Sequence, residues 1–183
     1  MKPNQKNTPP QIQCQTKGRQ HMTTCFIGLG GNIANELGTP TEHVINAVQA
    51  FKQSPHFTDV TMSSLYQSKA FGITDQPDFI NAVLSANTSL SPLELLNFCQ
   101  GLEQTAKRVR LRHWGERSLD VDILLYGDKR IHHQRLTVPH QGLFERNFVL
   151  IPMLEIDECL VVNGQKLADL NESNNWQGLN KLT

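Results

Sequence analysis

An α+β fold with an antiparallel sheet, in a single domain, is predicted by three observations. Two segments open on Thr39-Pro40-Thr41-Glu42 and Ser91-Pro92-Leu93-Glu94 and continue with apolar residues at helical spacing. Apolar runs of β character flank them, separated by glycine, proline or asparagine. The two kinds follow the order strand, helix, strand, strand, helix, strand, with no linker dividing the chain.

Residues 1–22 are polar, glutamine-rich and free of Asp and Glu, which predicts a disordered tail before a domain over residues 23–183. The tail lacks the apolar stretch of a secretory signal. A mitochondrial leader is a weaker rival, since there is one arginine and no serine. Met22, just ahead of the first strand, is a candidate start.

Thr23–Gly30 reads as a buried strand ending in the turn Gly30-Gly31-Asn32. The first helix has a threonine cap, proline in its first turn and glutamate three residues after the cap. Its buried stripe is Val44, Ala47, Val48 and Phe51. A strand is expected over Asp59–Tyr66, a loop over Gln67–Pro77 and a strand over Phe79–Thr88. Leu95, Phe98, Cys99, Leu102 and Ala106 form the stripe of the second helix. A basic loop, Lys107–Arg117, leads into the strand Leu119–Tyr126. A turn at Gly127-Asp128, a short strand over Arg130–His132 and a helix over Phe144–Leu154, with Pro152 near its end, come next. Asn163-Gly164 marks a hairpin. This order is that of a ferredoxin-like antiparallel sheet with its helices packed on one face.

Hydrophobic residues make up 38% of the 183, enough for a real core, and 17 basic residues balance 17 acidic ones. A neutral total argues against a general nucleic-acid or membrane-surface binder, so an anion site must come from local clustering. Cys14, Cys25, Cys99 and Cys159 show no metal-binding spacing. A reducing, cytoplasmic compartment without disulfides is expected. No apolar run reaches the ~18 residues of a membrane span.

The chemistry centres on Asp120-Val121-Asp122. In a strand, alternate side chains share a face. Leu119, Val121, Ile123 and Leu125 are therefore expected on one apolar face, and Asp120 and Asp122 together on the other, roughly 6.5–7 Å apart at the backbone. Two carboxylates so placed repel each other unless a cation offsets them. Magnesium takes a few carboxylates plus phosphate oxygens and water. A bare Asp-x-Asp on a solvated strand face is the bland alternative. Context shifts the balance, because Lys107, Arg108, Arg110, Arg112, His113 and Arg117 lead directly into the pair. Arginines take phosphate oxygens in bidentate fashion, as a triphosphate with its metals requires. Trp114 within that loop is either a buried anchor or a stacking platform, and Gly115 would let the loop move. Glu103 borders the buried face of the second helix and could pair with Lys107. Gly30-Gly31-Asn32 is not a Walker loop.

The run His113-Trp114-Gly115-Glu116-Arg117-Ser118-Leu119-Asp120-Val121-Asp122 resembles the signature of the 6-hydroxymethyl-7,8-dihydropterin pyrophosphokinase family. Supporting matches include Gly30-x-Asn32, Tyr66-x-Ser68, Gln76-Pro77-x-Phe79-x-Asn81, Gln100-x-x-Glu103, Arg108-x-Arg110, Leu136-Thr137-x-Pro139-His140 and Arg146-x-Phe148. The resemblance implies a ferredoxin-like α+β fold and transfer of a diphosphate from ATP to the pterin hydroxymethyl group. AMP would leave, with two magnesium ions on Asp120 and Asp122. It implies that Phe79, Asn81, Trp114 and Phe148 hold the pterin, with backbone groups around Phe71 and Gly72 at its edge. It implies that Gln100, Glu103, Arg108, Arg110, Trp114, Arg117, Ile123, Leu136, Thr137, His140 and Arg146 surround ATP. Arg108, Arg110, Arg117, Asp120 and Asp122 would carry the catalysis. A cytoplasmic monomer without nucleic-acid or membrane partners is expected.

Some positions depart from the family pattern. The lid loop is one residue shorter between Arg110 and Trp114, His113 stands where many members have arginine, Ser68 and Ala70 replace a threonine and a proline, and Gln141 replaces a frequent tyrosine. Two other readings remain open: a ferredoxin-like RNA-binding module using the basic loop, and an inactive relative that binds pterin without catalysis.

Overall fold

The computed structural model describes residues 22–70, 75–107 and 115–182. The central strand β1 (Thr23–Gly31) lies between β4 (Phe79–Thr88) and β5 (Asp120–Tyr126), antiparallel to both. β2 (Phe57–Met62) and β3 (Tyr66–Ser68) pair with successive halves of β4, and β10 (Leu179–Lys181) closes the far edge against β3. The continuous path is β10-β3-β4-β1-β5, an antiparallel sheet as expected from the sequence, with the edge strand β10 in addition to the predicted elements. The predicted strand over Asp59–Tyr66 is thus two strands with a break at residues 63–65, where the Ser63 hydroxyl accepts from the Val83 N–H.

Helices α1 (Pro40–Gln53) and α2 (Pro92–Thr105) begin where the caps predict. Glu42 accepts from the Thr39 N–H at 2.7 Å and Glu94 from the Ser91 N–H at 2.8 Å, each satisfying a donor that the helix cannot. Both helices pack on one face of the sheet over Cys25, Ile27, Leu29, Ala82, Leu84, Val121 and Ile123. Edge-on contacts of Phe51 with Phe57 and Phe98, at 4.8 and 5.0 Å, tie α1, β2 and α2 together.

The other face corrects two expectations. Its cover is α3 (Asn147–Ile156), so helices lie on both faces rather than one. A 3₁₀ turn at Leu143–Glu145 precedes α3, which replaces the single helix expected over Phe144–Leu154 and contains Pro152. Leu125 joins Phe26, Val83 and Leu150 on the α3 side instead of sharing the Val121 face. The reason is a bulge in β5: Ile27 pairs with Ile123 and Phe26 with Leu125, so Leu124 is the extra residue and side-chain alternation flips there.

The hairpin of β6 (Ile131–His133) and β7 (Leu136–Val138) lies beside β5, and β8 (Val161–Val162) with β9 (Gln165–Lys166) turns at Asn163-Gly164 as predicted. Cys25 and Cys99 are buried free thiols, and burial pushes the Cys25 thiol up to about 12. Among the described residues, no helix is long and apolar enough to cross a membrane.

Candidate active site

α3 leaves part of its sheet face uncovered, and local sequence explains why that part is hollow. Gly28 and Gly30 stand two apart on β1, on the face opposite Ile27 and Leu29. In register, Gly28 pairs with Val83 and Asp122, and Gly30 with Asn81 and Asp120. The middle strand thus contributes a floor without side chains. A Cβ on Gly30 would meet Asn81 Oδ1 at 3.1 Å, so the floor is already fully used. The result is a cavity of about 280 Å³. Phe79, Asn81, Arg117, Asp120, Asp122, His140, Arg146 and Phe148, all singled out from the sequence, line it.

Two ends can be distinguished. At one, Asp120 and Asp122 project from β5 on the same face, as alternation predicts. Arg117 Nη1 donates to Asp120 Oδ2 at 2.8 Å, while the Arg117 Nε is buried with no hydrogen-bond partner among the described residues. The Asp122 side chain is 44% exposed, with His140 Nε2 at 4.0 Å from its Oδ2. His140 is seated by its N–H donating to the Leu124 carbonyl at the bulge. Its Nδ1 accepts from the Gly142 N–H at 3.1 Å, which leaves Nε2 to carry the proton in the neutral ring. Burial, then the Arg146 charge, pull its pKa down, against an opposing pull from Asp120. Arg146, just before α3, also lies with its guanidinium carbon 5.9 Å from the Phe148 ring centre.

At the other end Phe79, Asn81 and Phe148 line the cavity. Asn81 is 7% exposed and its Nδ2 donates to Ser68 Oγ at 2.9 Å. The Arg117 guanidinium lies 5.4 Å from the Phe79 ring centre and joins the two ends.

Other expected residues lie outside this cavity. Glu103 accepts from the Val121 N–H at 3.0 Å, fixing β5 between its two aspartates, while Lys107 bridges to Glu36 at 2.6 Å. Gln100 accepts from Arg135, which ties the β6–β7 hairpin to α2. Ile123 and Leu136 are buried on the α1–α2 side, and Thr137 is exposed on β7. Phe71, Gly72, Arg108, Arg110, His113 and Trp114 fall outside the described residues.

The sequence reading gave no role to Asn32, and the structure makes it a clamp. It is 4% exposed. Its Nδ2 donates to Gln76 Oε1 at 3.0 Å and to the Pro77 carbonyl at 3.1 Å, and its Oδ1 accepts from the Arg117 N–H at 2.9 Å. One buried amide therefore joins the segment before Phe79 to the segment before Asp120. The glycine floor was also missed, although glycines at i and i+2 in a strand were a readable signal.

Comparisons with known proteins bear on this geometry. The family model described as 7,8-dihydro-6-hydroxymethylpterin-pyrophosphokinase matches residues 26–158. A 2-amino-4-hydroxy-6-hydroxymethyldihydropteridine pyrophosphokinase of Haemophilus influenzae is 47% identical over 150 residues, covering 81% of this chain and 91% of that protein. The enzyme of the same name from Pseudomonas aeruginosa is 37% identical over 158 residues, covering 86% and 95%. Among solved structures, an HPPK-DHPS protein of Plasmodium falciparum with pteroate superposes at a TM-score of 0.65 and 12% identity. It is matched over 86% of this chain and 41% of its own, so this chain spans less than half of that protein, and the likeness speaks for the fold.

Proposed function

The chain belongs to the 7,8-dihydro-6-hydroxymethylpterin-pyrophosphokinase family, and we propose that its glycine-floored cavity is where a diphosphate passes from ATP to the hydroxymethyl group of 6-hydroxymethyl-7,8-dihydropterin. This is a step of folate biosynthesis, with ATP as co-substrate and AMP released. One observation carries the reading. A same-face carboxylate pair on β5 and the Phe79–Asn81 stretch of β4 line one cavity from opposite sides of a strip without side chains, with Phe148 of α3 in the same lining.

Phe79 and Phe148 take the flat pterin ring between them, and Asn81 offers both an amide donor and an acceptor to its edge. By the family resemblance, Trp114 and backbone groups around Phe71 and Gly72 are assigned to the pterin as well. Arg108, Arg110, Arg117, Arg146 and the Nε2 proton of His140 take the phosphate oxygens. The buried Arg117 Nε, without a partner among the described residues, marks a guanidinium that gains by turning toward an anion. Gln100, Glu103, Ile123, Leu136 and Thr137 surround the adenosine end, along the outer edge of β5 between α2 and β7.

Asp120 and Asp122 fit magnesium, being two carboxylates on one sheet face with Asp122 open to the cavity. We assign two ions to them; bound there, magnesium would offset phosphate charge and polarise the transferring group. The protein's own contribution is positioning. It holds the hydroxymethyl oxygen in line with the β-phosphorus, fixes the triphosphate with guanidinium groups and limits water over the sheet. A monomer in the cytoplasm completes the proposal. The RNA-binding alternative is not favoured.

The test is AMP formation from ATP and the hydroxymethyldihydropterin. Asp120→Ala and Asp122→Ala are each expected to abolish most turnover while the far-ultraviolet circular dichroism stays unchanged. Near-normal turnover in either variant would overturn the metal assignment, and no AMP from the wild-type chain would overturn the function.

A further inference from the structure

We propose that Glu155 is a positioning residue for the pterin end of the cavity, acting through Tyr66 to set the rotation of α3 and hence the place of Phe148. The inference rests on the function proposed above.

Glu155 sits in the last turn of α3, and Phe148 is the second residue of the same helix. Phe148, Ile151 and Glu155 are spaced i, i+3, i+7, so they form one stripe about 10 Å long. That stripe faces β3. Ile151 packs with Tyr66 and Leu179, and Phe148 packs against the same cluster. Tyr66 is 1% exposed and is the register partner of Asn81, so the two stand side by side on one sheet face, next to the end that would receive the pterin.

Glu155 fixes this stripe at its far end with four bonds from three segments. Its Oε2 accepts from the Ser64 N–H at 3.0 Å and the Tyr66 hydroxyl at 2.7 Å. Its Oε1 accepts from the Ser64 hydroxyl at 2.6 Å and Lys181 Nζ at 2.9 Å. Ser64 lies in the break between β2 and β3, and Lys181 on β10. An ionised carboxylate is acceptor-only with about four lone-pair sites, and all four are used. The neutral amide of glutamine would turn a donor toward donors and lose two of these bonds at least. Against the cost of burial, bonds from Ser64, Tyr66 and Lys181 bring this carboxyl down to about 2, consistent with a permanent anion at neutral pH.

Packing alone would hold α3 on the sheet, since Val149, Leu150 and Met153 are buried there. What packing leaves loose is rotation about the helix axis, which apolar contacts specify weakly and directed bonds specify strongly. A small rotation moves Phe148 relative to Phe79 and shifts with it the N-cap Arg146, one of several cations assigned to the phosphates, while it leaves the carboxylate pair and Arg117 on the β5 side untouched. The signature is therefore a loss weighted to pterin affinity.

Tyr66→Phe and Glu155→Gln are to be measured by calorimetric titration with 6-hydroxymethylpterin in the presence of magnesium and α,β-methylene-ATP. KM for each substrate and kcat complete the set. Both variants are expected to bind the pterin about three- to tenfold more weakly, the effect of one or two lost hydrogen bonds. Their affinity for the ATP analogue is expected to stay within twofold of wild type. Lys181→Met, which removes the solvent-facing partner, is expected to leave pterin affinity unchanged. Tyr66→Phe keeps the ring and its packing, so it decides the matter if Glu155→Gln fails to fold. Pterin affinity within twofold of wild type in Tyr66→Phe would overturn the inference, as would a parallel loss of ATP-analogue affinity. A wild-type chain that binds the analogue and no pterin would instead overturn the proposed function, and this inference with it.

Discussion

Replacing Asn32 with alanine tests how the two halves of the cavity are joined. The side chain is 4% exposed and makes three hydrogen bonds, to Gln76, Pro77 and the Arg117 N–H. Each such bond contributes about 1 kcal/mol net, and a buried donor left unpaired costs about 1–3 kcal/mol. All three bonds are part-buried, so the freed groups on Gln76, Pro77 and Arg117 each recover part of their loss from water. The expected destabilisation is about 2–3 kcal/mol, the sum of the three. Turnover should fall further than stability explains. The freed segments carry Phe79 and Arg117, and small misplacements of positioned groups cost about 10²-fold. Urea denaturation gives the first number and AMP formation, in conditions where the variant is fully folded, the second. A loss below about 0.5 kcal/mol with turnover within twofold would refute the clamp.

Three further outcomes follow from the same geometry. A Cβ on Gly31 would collide with the Ser118 carbonyl, a backbone atom that cannot swing aside, so Gly31→Ala should cost about 1–3 kcal/mol in a urea melt. An unchanged midpoint would show that the β1–β5 approach relaxes freely. Glu155 has its folded-state pKa lowered from 4.5 to about 2, so its contribution is complete above pH 4.5 and lost as the pH falls toward 2. The full shift corresponds to about 3 kcal/mol, which solvent screening at this rim reduces to about 1–2 kcal/mol. Wild type and Glu155→Gln should therefore converge in stability between pH 4.5 and 2, and a constant difference across that range would refute the assignment. Lys107 bridges to Glu36 in the open, so Lys107→Ala should leave the melting temperature unchanged within error; a clear drop would mean the pair does more than its exposure allows.

Much of the site was legible because it depends on short-range periodicity. Asp120 and Asp122 share a face in any strand, and the two capping sequences fix where α1 and α2 begin whatever they pack against. Leu125 was misplaced because a bulge inserts a residue without a sequence mark of its own. For Glu103 helical spacing offered Lys107 and the family resemblance offered ATP; in the structure it accepts a bond from the backbone of β5, 18 positions away, which spacing within a helix cannot reveal.

The sequence by itself determined the alternation of elements, the antiparallel α+β class and the pairing of the two aspartates, since each follows from residues within a turn or two of one another. Tertiary structure alone decided that α3 would cover the second face and that the glycine strip would become a cavity floor. It alone decided that Asn32 would reach Arg117, 85 positions away. Local pattern sets which side chains share a surface. What that surface meets depends on competition among all the surfaces in the chain, and that competition is settled only when they pack.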